Sequence, residues 1–300
     1  MTLTAELRRR IVGTTTGLFA HAPYPLENSL EHEGDPGLFG PDSITWSVIG
    51  DVATFAGGIR ALLVQAAHQE VAAGVADHSR YRDDPLGRLS RTSAYVTATA
   101  FGAMPEVEHA VELVRRAHQP VRGKSHRNRA YSANHPAQAA WVHNVLTESF
   151  LATHLLFGKR RLTADEADEF VREQTAVGRL LGSDPLPATA RDLTTWVVDH
   201  PDIGVSPGMD GAIDFLKSPP LPLKVKLGYW VLYQAAAATI PGKIRRVLGI
   251  RRLPGAILAG KSMAGFLRWA LGSSPSWYIA LNRVGAPLPA GYRFRTKPFE

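Results

Sequence analysis

The 300-residue sequence contains no cysteine. That absence removes structural disulfides, thiolate nucleophiles, cysteine-ligated zinc, iron–sulfur clusters and a thiolate-ligated haem. It fits a reducing cytoplasm. A long apolar run is also missing. None follows the charged, amphipathic start Met1 to Arg10, so no secretory signal is expected. The apolar stretch Leu227 to Ile240 contains Gln234 and falls short of the ~20 residues that a membrane span requires. No segment alternates polar and apolar residues for long, which argues against a β fold, and no internal repeat appears.

Several catalytic signatures are lacking as well. There is no Gly-x-Ser-x-Gly elbow, no Walker-type loop and no Gly-x-Gly-x-x-Gly. Gly260-Lys261-Ser262 imitates the end of a phosphate loop, but it follows Pro254 and lacks a preceding strand. There is no His-Glu-x-x-His, and Glu106-Val107-Glu108-His109 has no second copy of the kind a di-iron bundle needs. A zinc hydrolase and a di-iron carboxylate site are therefore weak readings.

What is present is ordinary globular chemistry. Hydrophobic residues make up 45% and charged residues 20%, so a large core can be buried and global disorder is excluded. The net charge of +7 is concentrated around Lys243, Arg245, Arg246, Arg251 and Arg252. Its bland reading is solubility; its functional readings are an anionic membrane surface or nucleic acid. No nucleic-acid-binding motif accompanies the charge, so nucleic acid is set aside. A peripheral membrane contact through the basic C-terminal part stays open, alongside a cytoplasmic location.

Hydrophobic periodicity predicts an all-α chain of seven to ten helices forming a single helical domain. Gly, Pro and Asp up to about Asp51 predict a short N-terminal helix and then a turn-rich segment. Ile59, Leu62, Leu63, Ala66, Ala67, Val71 and Val75 recur at helical spacing, and Gly57-Gly58 marks a close approach or bend. Helices are expected over Arg88 to Phe101 and Glu106 to Gln119, with a polar loop from Arg122 to Asn134. A buried helix begins at Pro136, and Thr163-Ala164-Asp165-Glu166 reads as a capping box. Thr189 to His200 is a short helix, Pro201 to Met209 a loop, and Leu223 to Ile240 an apolar helix. From Gly285 to Glu300 the tail should be irregular. The expected division is 1–40 as an N-terminal extended segment, 41–218 as a helical core and 219–300 as a C-terminal helical extension packed on it.

Three constellations carry candidate chemistry. Helical spacing puts Arg88, Arg91 and Thr92 on one face, which reads either as a solvated basic face or as an anion clamp. Of the 11 histidines, His68, His78, His118 and His143 sit on or beside apolar helices, where imidazole could ligate haem iron or another metal. Tyr131 to Pro136, followed by Trp141-Val142-His143, reads as a turn entering a buried helix with His143 available inside.

The order of these pieces resembles one family. Trp46, Gly50-Asp51, Gly57 to Gln65, His68, Val71 to Val75, His78-Ser79, Tyr81-Arg82 and Asp84 to Leu89 lead into Arg91-Thr92. Phe101-Gly102, His118, Val121, Gly123, Tyr131 to Ala133 and Trp141 to His143 follow. Together they resemble the catalytic domain shared by bacterial latex-clearing proteins (rubber oxygenases) and fungal MpaB-type oxygenases. The resemblance implies a globin-like helical core around a haem b pocket, and an enzyme that uses O2 on a small apolar substrate such as an alkene or isoprenoid. It implies His118 as the iron ligand, with His143 and His68 as alternatives, and Arg88, Arg91 and Thr92 on the distal or propionate side. Arg91 stands where latex-clearing proteins carry a Lys, and the general-base Glu of rubber oxygenases has no matched counterpart. Arg, unlike Lys, does not shed its proton to ligate iron. A non-catalytic haem-binding or gas-sensing protein is the alternative expectation. The oligomeric state is not legible.

Overall fold

The computed structural model describes residues 3–290, and among these it contains fourteen α-helices and one two-stranded ribbon. The chain is all-α, as the periodicity predicts. Helix α7 (Pro136–Phe157) forms the centre. Its buried positions include Trp141, Asn144, Val145, Glu148, Phe150 and Leu151, so most of its circumference is packed, while Val142, Leu155 and Leu156 stay exposed. Helix α3 (Ala53–Gln65) lies against it. Their close approach is set at Gly57, where an added Cβ would come within 2.7 Å of Phe150 and 2.8 Å of Thr153 Oγ1. The Trp141 Nε1–H donates to the Gln65 carbonyl at 3.1 Å, which closes the far end of the contact.

The helical run expected from Ile59 through Val75 is broken. Helix α3 ends at Gln65, and α4 (Gln69–His78) starts afresh with His68 as its N-cap, Nδ1 accepting from Val71 N–H at 3.4 Å. The apolar spacing continues across the break, so periodicity alone does not reveal it. Helix α5 (Pro85–Phe101) begins with Pro85 in its first turn and Asp84 capping the Gly87 N–H at 3.0 Å. Gly102 and Ala103 then separate it from α6 (Met104–His118), which packs back on α5. The stretch read as a loop from Arg122 contains two short antiparallel strands, β1 (Arg122–Lys124) and β2 (Ala130–Ser132).

Helix α8 (Ala164–Leu180) opens with the expected capping box. The Thr163 hydroxyl accepts from Glu166 N–H at 3.2 Å and Glu166 accepts from Thr163 N–H at 2.9 Å. Helices α9 (Ala190–Val198) and α10 (Pro207–Lys217) border α7 and α4 respectively. Helix α11 (Leu223–Thr239) packs on α3 and on α13 (Ala256–Leu271), with the short α12 (Gly242–Val247) between them in sequence. Arg268 of α13 donates to both carboxylate oxygens of Asp51, at 2.7 and 3.0 Å, and so ties α13 to the start of α3. Helix α1 (Leu3–Phe19) buries no residue fully, whereas the short α2 (Ile44–Ile49) buries Trp46 and Val48 and α14 (Pro275–Arg283) buries Ile279 and Leu281. Gly260-Lys261-Ser262 lies inside α13, which rules out a phosphate loop there. The expected irregular tail is turn and coil from Gly285 to residue 290, and its remainder lies outside the described residues.

Candidate cofactor and metal site

The α5–α6 pair carries one group of candidates, with Arg88 on the first turn of α5 and His118 on the last residue of α6. The His118 imidazole is half-buried and makes no side-chain hydrogen bond or ion pair among the described residues. Burial lowers its pKa, so at neutral pH it is the uncharged form that ligates metals. The Arg88 guanidinium is also half-buried, 5.8 Å from the centre of the Tyr81 ring, with no carboxylate partner among the described residues. Burial lowers its pKa too, but a guanidinium keeps its charge. Arg91, by contrast, is exposed and donates from both Nη atoms to Asp84 Oδ2 at 3.1 Å, while Thr92 lies in solvent. The structure thus leaves Arg88 with the Tyr81 ring and no carboxylate, and commits Arg91 to the helix cap. Tyr95 falls on the same face as Arg88 and Thr92, seven and three residues on respectively. Its hydroxyl is enclosed without a hydrogen-bond partner, and burial raises its pKa. In the sequence, the only signal for Tyr95 is its seven-residue spacing from Arg88.

The other two candidate histidines are engaged. His143 sits against Gly178 of α8, where an added Cβ would come within 2.8 Å of its ring. Its Nε2 lies 3.5 Å from Thr147 Oγ1, and the ring hydrogen-bonds the Gln174 backbone. Burial pushes its pKa down to about 4. His68 is 3% exposed and its Nδ1 is used as the cap of α4.

His68 nevertheless belongs to a second group. One nitrogen each of His68 and His200 and one oxygen of Asp202 all lie within 4.8 Å of one another. The two imidazole rings are 5.1 Å apart, and Trp141 and Trp196 close over His200 at 4.9 and 4.8 Å. Burial first, and the neighbouring His200 second, push the His68 pKa down to about 4. Burial also lowers that of His200. The carboxylates nearby are already answered by cations. Arg127 donates to Glu70 Oε2 at 2.5 Å and to Asp202 Oδ1 at 2.9 Å, and Arg129 adds a bond to Asp202 at 2.8 Å. The hydrogen bonds from Arg127 hold both Glu70 and Asp202 below the usual carboxylate range, against the opposing effect of burial. His200 and Asp202 were missed in the sequence: His200 reads there as the end of a helix, which stops at Val198, and the only signal was a His-x-Asp pair.

The donor sets permit two kinds of occupant. Haem b needs a neutral axial imidazole and cations or donors for its propionates. His118, Arg88 and the orphaned Tyr95 hydroxyl fit those needs. A divalent ion at His68, His200 and Asp202 would have to draw donors now up to 4.8 Å apart to about 3.4 Å. Two surface grooves of about 480 and 520 Å³ are lined by none of these histidines.

The described residues form an all-helical protein that holds several uncharged imidazoles and, on α5, a half-buried guanidinium without a carboxylate partner. The profile of the family described as ER-bound oxygenase mpaB/B'/rubber oxygenase, catalytic domain, matches residues 46–269. The chain belongs to that oxygenase family. No curated protein and no solved structure matches it.

Proposed function

We propose that the chain is a haem-b-dependent oxygenase in which His118 holds the iron and Arg88 serves the distal or propionate side, with a small apolar substrate oxidised by O2. The observation that carries this reading is the half-buried, uncharged His118 imidazole, which has no other partner among the described residues. A globin-like wrapping of helices around the cofactor is part of the same proposal.

Bound haem would supply redox iron able to activate O2, which no side chain here can do. The chain's own residues supply the setting. His118 is kept neutral by burial. Arg88 offers up to five donors to a propionate or to another polar oxygen. Arg91 and Thr92 lie at the solvent edge, and Arg91 cannot compete as a ligand because its proton is not lost. Tyr95 adds an unused hydroxyl on the Arg88 face. The alkene or isoprenoid class of substrate rests on the rubber oxygenases that share the family.

The experiment is to reduce the haem-loaded protein and supply O2 with and without an isoprenoid. Oxygen uptake that requires the isoprenoid, with oxygenated product detected by mass spectrometry, supports an oxygenase. Oxidation of the iron at the same rate in both cases, without product, would instead make the protein a haem or gas carrier or sensor.

A second reading comes from the His68, His200 and Asp202 cluster, since two imidazoles and one carboxylate form the donor set of mononuclear non-haem iron oxygenases. Metal analysis of haem-free protein separates the readings. Stoichiometric iron or zinc that disappears in His200→Ala would favour this centre, and its absence would leave haem alone.

A further inference from the structure

No acidic residue lies between Asp214 and Glu300, yet this stretch carries 14 of the 34 lysines and arginines. The remainder of the chain holds 20 basic and 27 acidic residues. The overall charge of +7 therefore conceals a strongly basic C-terminal part set on a mildly acidic body. Some of these cations have partners in the body, as Lys243 does in Asp199 and Arg268 in Asp51. Lys224, Lys226, Arg251, Arg252 and Lys261 are exposed and have no carboxylate partner among the described residues.

Large apolar side chains are exposed beside these cations. On α11, Leu223 is 84%, Leu227 72% and Trp230 49% exposed, and their spacing of four and three residues makes one stripe. Helix α13 packs on α11 where Gly260 meets Ala235, and it exposes Leu258 and Phe266. Helix α1 packs on α13, with the Arg8 guanidinium 4.5 Å over the Trp269 ring, and exposes Leu3 and Leu7. Solitary apolar side chains are common on a surface, but a stripe of them flanked by unpaired cations marks a contact site.

We propose that this face, built from α1, α11 and α13, docks on the surface of an anionic phospholipid bilayer. Leu223, Leu227 and Trp230 enter the interfacial region, and the lysines and arginines lie at the level of the headgroups. Charge decides between a membrane and a second copy of the chain. Two such faces would bring their unpaired cations together, whereas an anionic surface neutralises them. A groove of about 520 Å³ at the end of α7, walled by Leu155, Leu156, Arg160, Arg161 and Lys261, offers room for a headgroup at the margin of the face. No helix among the described residues is long and apolar enough to cross a membrane, so the contact is superficial. The proposal uses none of the histidines and stands apart from the cofactor reading.

The test is co-sedimentation of the full chain with vesicles of phosphatidylcholine alone and of phosphatidylcholine with about a third phosphatidylserine. Each cation at an anionic surface strengthens binding about fivefold. Binding to the anionic vesicles should therefore exceed binding to the neutral ones at least tenfold, and Lys224→Glu with Lys226→Glu should remove most of that excess. Added salt should weaken binding, because the attraction is screened. Brominated acyl chains should quench tryptophan emission, and Trp230→Ser should lose that quenching while its circular dichroism stays unchanged. Equal binding to both vesicles, binding to neither, or binding indifferent to these variants would overturn the proposal. So would a stable dimer that Trp230→Ser dissociates, because it would assign the face to a second copy.

Discussion

The carboxylate of Glu148 on α7 receives the guanidinium of Arg60 on α3 end-on, through both Nη atoms, with both side chains almost wholly buried in the core. Arg60 Nη2 donates to Glu148 Oε1 at 2.8 Å, Nη1 reaches Oε2, and Nη1 also donates to Ser149 Oγ at 2.7 Å. Removing one member strands a charge in the interior, at a cost of about 3–5 kcal/mol. Glu148→Ala should therefore destabilise the fold severely. Replacing both residues together should cost less than the sum of the single changes, because no lone charge remains. Urea denaturation of the two single variants and the double variant measures this coupling.

Two adjacent glycines should respond in opposite directions. Gly57 has no room for a methyl group, since a Cβ would meet Phe150 at 2.7 Å, whereas a Cβ on Gly58 would meet nothing within 4 Å. Both lie inside α3. Gly57→Ala should destabilise by about 1–3 kcal/mol through overpacking. Gly58→Ala should stabilise by up to about 1 kcal/mol through helix propensity. Thermal melts of the two variants, run side by side, check this.

Acid should destabilise the protein through its buried imidazoles. The ordinary histidine value is 6.5, and both His68 and His143 are pushed down to about 4. The unfolded chain therefore binds protons that the folded chain excludes between these values. Stability is fully present above pH 6.5, falls as pH drops toward 4, and loses nothing further from this source below that. For His68 the loss is about 3 kcal/mol. Glu70 and Asp202, whose pKa values are lowered, surrender their contribution only at more acid pH. His68→Asn keeps a capping acceptor for α4 and should flatten the slope between pH 6.5 and 4 in a stability–pH profile.

The two arginines of the α5 motif should separate in function. Arg88 has no carboxylate partner among the described residues, whereas Arg91 is bonded to Asp84 at the helix start. If Arg88 receives a propionate, Arg88→Ala should weaken haem binding by about tenfold or more, the scale of a charge-assisted hydrogen bond. Arg91→Ala should leave affinity within about twofold. Haem titrations of the two variants decide, and equal effects would remove Arg88 from the proposed role.

Local signals carried much of the fold. The Thr163–Glu166 capping box and Pro136 at the head of α7 act within a few residues, and each appears where its sequence places it, whereas α5 starts at Pro85 under an Asp84 cap, three residues before the expected Arg88. Gly57 was legible as a close approach, and the structure supplies the Phe150 ring that requires it. The break at His68 was not legible, because a cap in mid-pattern leaves the apolar spacing intact. Helix α10 was partly hidden by Pro207-Gly208, which reads as a turn until Ser206 is seen capping Met209 N–H at 3.2 Å. Within the candidate site, the resemblance names His118, His143, His68, Arg88, Arg91 and Thr92 alike, and nothing in it tells that Arg91 turns to Asp84. His200 and Asp202 join His68 only through tertiary packing over Trp141 and Trp196, and no sequence spacing encodes that.

The most direct measurement of the central claim is a haem b titration of the wild-type chain and His118→Ala, followed by the Soret band. The wild type should take up haem stoichiometrically, with a band that is lost or strongly shifted in the variant while its helical circular dichroism is retained. An unchanged Soret band in His118→Ala, or a wild-type chain that binds no haem at all, would contradict the claim.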